Sequence, residues 1–210
     1  MQREVGTRNF PIWLLGDSNP EEWEDRLETP LDPRHSARHN IWTSVADVVQ
    51  DKVFRARRGR IDTSALHIRN AIEKAKDKPR DRDVDWPIEV NAEVTALSHL
   101  LGQHKPVFLF SFGAFAYEFA RRALGQEPMR RYDYWGARTL GQAFRERLPL
   151  FDVLAVNVFP LLHISISAGN FLASHNQFCG REGANYFDVC GGEVARIVLA
   201  NADALPVWVE

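Results

Sequence analysis

The sequence predicts an α/β protein in which helices cover a parallel sheet, and three observations predict it. Short, near-continuous apolar runs recur along the chain, as strands buried on both faces of a parallel sheet require. Between them lie stretches whose apolar residues repeat every three or four positions, the period of a helix with one buried face. Glycines and polar residues come after the apolar runs, which places functional groups at strand ends, where open α/β sheets bind ligands.

Residues 1–9 form a polar arm. Pro11-Ile-Trp-Leu-Leu15 reads as a buried strand opening into the loop Gly16-Asp-Ser-Asn-Pro20. Over 40–54, Ile41, Val45, Val48, Val49 and Val53 keep to one helical face. Residues 65–70, Ala-Leu-His-Ile-Arg-Asn, form a short strand, and 74–85, with bases and acids alternating around Pro79, a solvated loop. Val90, Val94, Leu97 and Leu101 mark a second helix. Pro106-Val-Phe-Leu-Phe-Ser-Phe112 is a strand that turns at Gly113 into a helix ending near Gly125. A helix around 138–147 precedes the strand Asp152-Val-Leu-Ala-Val-Asn-Val158, and a last helix lies within 186–199.

Composition bounds the function. The 210 residues carry 26 Lys and Arg against 28 Asp and Glu, a net charge of −2, with 45% hydrophobic residues. Those are the proportions of an ordinary soluble globular protein, and without a repeat or a linker they predict a single domain over 1–210. No run approaches the ~18 apolar residues of a membrane span, and the opening residues lack a signal peptide's apolar segment, so a cytoplasmic location is expected. Two cysteines, Cys179 and Cys190, cannot build an iron–sulfur cluster, a four-cysteine zinc site or a disulfide framework from this chain alone, and read as unpaired buried residues. His35, His39 and His67 match no ligand spacing, and no metal or cofactor is expected. Near-neutral charge gives no global signal for nucleic acid. Arg55-Ala-Arg-Arg-Gly-Arg60 is basic locally, and contacts phosphates or is a solvated surface according to which side of the fold it occupies.

The order of the strand-end motifs carries more. Gly16-Asp-Ser-Asn-Pro20 comes after the first strand; Pro30-Leu-Asp-Pro-Arg-His-Ser36 precedes a helix; Leu66-His-Ile-Arg-Asn70 ends the second strand. Val107-Phe-Leu-Phe-Ser-Phe-Gly-Ala114 then turns into a helix. Last come His163-Ile-Ser165-Ile-Ser167 and the glycine- and aromatic-rich stretch from Gly169 to Phe178. This order, over about residues 12–198, resembles the uracil-DNA glycosylase superfamily.

The resemblance implies a three-layer α/β/α sandwich with a central, mostly parallel four-stranded sheet. It also implies a DNA partner, a flipped damaged or deaminated base, and hydrolysis of its N-glycosidic bond in DNA repair without metal or cofactor. His163 would stabilise the departing base, Asn70 read its edge, Asp17 or Asn19 place the water, and Ser36, Ser165 and Ser167 contact phosphates. Such chemistry makes the base anionic and the sugar oxocarbenium-like, so it needs a hydrogen-bond donor at the base oxygen, for which a neutral imidazole serves, and a group guiding water to the sugar.

The departures from the best-known members are specific. Their Gly-Gln-Asp-Pro-Tyr loop sets Ser18 opposite its aspartate when anchored on glycine and Asn19 when anchored on proline, with Glu21 replacing the tyrosine. Both prolines of their His-Pro-Ser-Pro loop are isoleucine. Ser167 takes the place of the leucine that probes the emptied stack, with Leu172 nearest to replace it. Trp23, Trp42 and Phe112 are candidates for the aromatic wall of the base pocket.

Two other readings compete. A protein of the same fold could bind DNA or a nucleotide without catalysis. Alternatively, Ser111, Asp152 and His163 occur in the Ser-Asp-His order of an α/β-hydrolase, although Leu109 stands where the nucleophile elbow needs its first glycine. Plain structural roles stand beside these: Asp17 as a turn cap, Ser36 as a helix cap, His163 as a satisfied core histidine.

Overall fold

A computed structural model describes residues 2–19, 26–34, 42–163 and 171–209. In chain order the elements are β1 (Glu4–Val5), β2 (Ile12–Gly16), α1 (Ser44–Arg57), β3 (His67–Asn70), α2 (Ile88–His104), β4 (Phe108–Phe112), α3 (Gly113–Ala123), α4 (Ala137–Arg147), β5 (Asn157–Leu161), α5 (Phe171–Cys179) and α6 (Tyr186–Ala200).

The sheet order is β1-β3-β2-β4-β5. β3, β2, β4 and β5 are parallel, with Gly16 opposite Asn70, Leu15 opposite Ser111, and Ser111 opposite Pro160. The four expected strands are present, but the sheet is five-stranded and mixed. The polar arm supplies β1, which pairs antiparallel with β3 and sets Glu4 opposite Arg69. Without it β3 would be a bare edge, and a short charged strand is a common cover for one. Glu4 pairs with Arg8 and lies 3.5 Å from Arg69. Pairing of this kind is invisible to a reading based on hydrophobic runs.

From β2 the chain passes through α1 to β3, then returns across the sheet to β4 and β5. Right-handed crossovers therefore put α1 on one face and α2 and α3 on the other. α6 packs on α1, α2 on α3, and α4 on both β5 and α5. The buried residues form one continuous cluster. Its centre is aromatic: Phe108, Phe110 and Phe159 lie 5.7–6.1 Å apart by ring centroids across β4 and β5, and Phe144 and Phe178 continue the line into α4 and α5. Among the described residues no helix is long and apolar enough to cross a membrane.

Two expectations shift. The last strand starts at Asn157 rather than Asp152, because the Asn157 side chain donates to the carbonyls of Asp152 and Ala155 and folds that stretch into a turn, leaving Leu154 exposed. Pro160 fits β5 because β5 is an edge strand. The 74–85 stretch is a loop with a short 3₁₀ turn at Ala75–Asp77, but it is not wholly solvated. Pro79 is buried and Lys78 half-buried.

A buried carboxylate ties the far side of α3 to the segment that leaves it. Glu118, fully inaccessible, accepts from Arg121 (2.8 Å), Arg122 (3.2 Å), the Trp135 indole (2.8 Å) and the Arg130 backbone N–H (2.8 Å). A charge at that depth is tolerable only with such saturation. It draws the segment after α3 back against the helix, which returns Tyr132 to the strand ends.

Candidate functional site

β2 and β4 are neighbours whose succeeding helices leave on opposite faces. The crevice beyond their carboxyl ends is the place where an open α/β sheet presents its site. Gly16 and Asp17 end β2, Gly113 ends β4, Asn70 ends β3, and His163 lies two residues past β5.

Two glycines make this convergence geometrically possible. A Cβ on Gly16 would lie 2.3 Å from Asn70 Oδ1, so the amide of Asn70 rests directly on the Gly16 backbone. Gly113 has φ +86°, and a Cβ there would come within 2.8 Å of His163 Cβ. The left-handed turn into α3 and the approach of His163 thus both require a missing side chain.

Asp17 and His163 come together through charge. Burial pushes the His163 pKa below its usual value, with the Asp17 carboxylate raising it and the Lys78 ammonium lowering it further. The imidazole is therefore neutral at neutral pH. Lys78 Nζ lies 2.5 Å from Asp17 Oδ2, whereas Asp17 Oδ1 is buried and has no hydrogen-bond partner among the described residues. The ammonium also sits 5.0 Å from the Phe115 ring centroid and 5.1 Å from that of Tyr132, within cation–π range. Tyr132 fixes the loop by donating to the Pro79 carbonyl at 3.1 Å; burial first, then Asp81 and Asp17, push its pKa up to about 12.

Asn19 and Asn70 are both buried, and Asn70 Nδ2 donates to Asn19 Oδ1 at 2.5 Å. The residue expected to read a base edge and one of the two expected to place water thus hold each other. Asp17, paired with Lys78 and 17% exposed, is the carboxylate whose charge reaches His163. Ser36, Ser165 and Ser167 lie outside the described residues, as do Trp23, His35 and His39. Trp42 packs on Phe110 and Phe112 and lines an apolar cavity with Ile12, Val49 and Val194, which makes it and Phe112 core residues here. Leu172, in the first turn of α5, is 72% exposed.

Ser111, Asp152 and His163 do not converge. Ser111 is fully buried in β4, and Asp152 sits before the first residue of β5, about 13 Å of strand away from the His163 end. Arg55–Arg60 lies at the opposite end of the sheet from Asp17, where α1 finishes. There Arg57 packs over Trp208, Arg58 and Arg60 over Phe54, and Arg55 pairs with Asp51. Cys179 and Cys190 are free, and burial raises both thiols, which disfavours the reactive thiolate.

Sequence reasoning missed Lys78, Phe115 and Tyr132. Lys78 is one of several charges in a polar loop, and its only signal is that it comes after a strand ending in the crevice. Tyr132 is brought there by the Glu118 network, which has no local pattern. No protein-family model matches the chain, and no curated protein matches it.

Proposed function

We propose that the chain is a DNA glycosylase of the uracil-DNA glycosylase type, a three-layer α/β/α protein that hydrolyses the N-glycosidic bond of a flipped, damaged or deaminated base in cytoplasmic DNA repair. The observation that carries this reading is the meeting, at the carboxyl ends of the parallel strands, of the half-buried His163 past β5 with the carboxylate of Asp17 past β2, whose charge acts on the imidazole. As the C1′–N bond breaks, His163 donates to the base oxygen that becomes anionic, and the Asp17 carboxylate orients water at the cationic sugar carbon. Tyr132, half-buried and packed edge-on against the core residue Phe115, offers an aromatic face, and the exposed Leu172 offers an apolar tip to the gap a flipped base leaves. The free cysteines fit a reducing compartment.

One observation favours a second reading, a DNA- or nucleotide-binding protein without catalysis. Asn19 and Asn70 satisfy each other, so base-edge recognition by Asn70 requires their amide pair to open. Single-turnover base release separates the two, using oligonucleotides that carry uracil, hypoxanthine, hydroxymethyluracil or a mismatch, single- and double-stranded. Abasic product that is lost in Asp17→Asn and His163→Ala supports the glycosylase. Binding without product on any substrate sinks it in favour of the second reading.

A further inference from the structure

We infer that a cleft between α3 and α4, separate from the crevice at the strand ends, binds a nucleotide by its phosphate, with the guanidiniums of Arg130 and Arg147 and the hydroxyl of Tyr117 as donors. Both helices pack on β5, and the segment that follows α3 closes the space left between them into a cleft of about 290 Å³. That is the small end of the ~300–1,000 Å³ range of small-molecule sites. Arg121 and Trp135 line it, and Glu118 fixes both. The charge of Arg121 is engaged there, but a single carboxylate faces the guanidiniums of Arg121 and Arg122, so the buried network beside the cleft is net positive and attracts an anion.

Three donors in the cleft have capacity to spare. Tyr117 is 7% exposed and packs edge-on against Trp135, and its hydroxyl has no hydrogen-bond partner among the described residues. That oxygen is not one of those sealed from solvent, so it opens to the cleft. Burial raises its pKa, with Arg121 and Arg147 opposing, and the phenol is a donor at neutral pH. Arg147, half-buried at the end of α4, makes no ion pair or hydrogen bond among the described residues. Arg130 lies over the Tyr134 ring at 4.4 Å; stacking occupies the face of its guanidinium and leaves the N–H edge free, with no carboxylate on it. Two unpaired guanidinium forks and a phenol match the oxygens of a phosphate dianion. Glu146, the acid that lines the cleft, accepts from Gln142 with one oxygen and leaves the other for a sugar hydroxyl. Tyr134, 45% exposed, offers its ring to a planar base. Phosphate donors, a hydroxyl acceptor and an aromatic ring together answer to a nucleotide.

Titration calorimetry on the full chain tests this with adenosine 5′-monophosphate, adenosine, inorganic phosphate and a single-stranded DNA tetranucleotide. One monophosphate should bind per chain, at least about tenfold tighter than adenosine or phosphate. Arg130→Gln and Arg147→Gln should each weaken it about tenfold or more, and Tyr117→Phe severalfold. Arg138→Gln, on the exposed start of α4, and His163→Ala, in the crevice, should retain it, with circular dichroism checking that each variant is folded. If the tetranucleotide also binds and loses affinity in the same variants, the cleft takes a nucleotide of a DNA strand; if the monophosphate alone binds, it takes a free one. No binding of the monophosphate, equal binding of adenosine or phosphate, unchanged affinity in both arginine variants, or loss in His163→Ala overturns the inference. None of these readouts depends on base release, so the cleft and the glycosylase reading stand or fall separately.

Discussion

Two histidines in this molecule sit near a carboxylate and a cation, and they differ in where they stand in the fold. His67, in β3, is 1% exposed, packs against Trp13 with ring centroids 4.3 Å apart at a tilt of 54°, and lies 3.6 Å from Glu4, with Arg69 also on β3 and Arg3 pairing with Glu93 nearby. His163 lies beyond its strand, near Asp17 and Lys78. Burial lowers the pKa of both, that of His67 to about 4. The first cluster lies between β1 and α2; the second meets at the carboxyl ends of parallel strands. Each leaves buried polar atoms without a hydrogen-bond partner among the described residues, both ring nitrogens of His67 in one and Asp17 Oδ1 in the other. Residue types, protonation and unused hydrogen-bonding capacity alone do not single out a functional histidine; position in the topology separates the two.

The largest expected effect separates the two directly. On the proposed glycosylase reading, His163→Ala should slow single-turnover base release by about 10²–10³-fold, as loss of a donor to a developing anion does. His67→Ala should leave the rate per folded molecule unchanged and lower stability by about 2–4 kcal/mol, as a buried large-to-small change does. Denaturant titration alongside the kinetics checks both.

Acid titration sharpens the contrast. With His67 at about 4 folded and about 6.5 unfolded, the unfolded chain takes up the proton first as pH falls. Its contribution is intact above about pH 6.5 and is lost progressively toward pH 4, by up to about 3 kcal/mol. His67→Phe should flatten the slope of unfolding free energy over that window. Because burial also lowers the His163 pKa, the proposed base release should keep its rate plateau below the usual histidine range.

Smaller effects probe the glycines. Gly113→Ala should cost about 1–3 kcal/mol, combining overpacking against His163 with an unfavourable positive φ. It should also lower the rate, while Gly16→Ala at similar cost displaces Asn70; thermal denaturation and kinetics on the same preparations test both. Leu172→Ser should change stability by no more than about 0.5 kcal/mol and reduce duplex cleavage severalfold relative to single-stranded cleavage. Smallest of all, Arg58→Ala with Arg60→Ala should leave the affinity and salt slope of the proposed DNA binding unchanged, since a lost phosphate contact would reduce that slope by about one per charge.

Most of the scaffold was legible because it is written in local periodicity. The helices at 88–104, 137–147 and 186–200 and the strand ending at Phe112 follow from apolar spacing. β1 was not legible, since its partner is a sheet edge far along the chain and its side chains are charged. The start of β5 was misread because Asn157, a single side chain, converts an apolar run into a turn. In the site, Asp17 and His163 could be reached from motif order, but Lys78 could not. Its place depends on Tyr132 and Asp17, two partners distant in sequence.

The Glu118 network has a dynamic consequence. Two of the four donors on this inaccessible carboxylate, the Arg130 N–H and the Trp135 indole, hold the segment after α3 to the helix, and Tyr132 in that segment holds the loop bearing Lys78. The two loops should therefore open together as one cooperative unit, with their amide hydrogens exchanging at a common rate under native conditions. Glu118→Gln, which keeps the shape and removes the charge, should accelerate exchange in the Lys78 loop although it touches none of it.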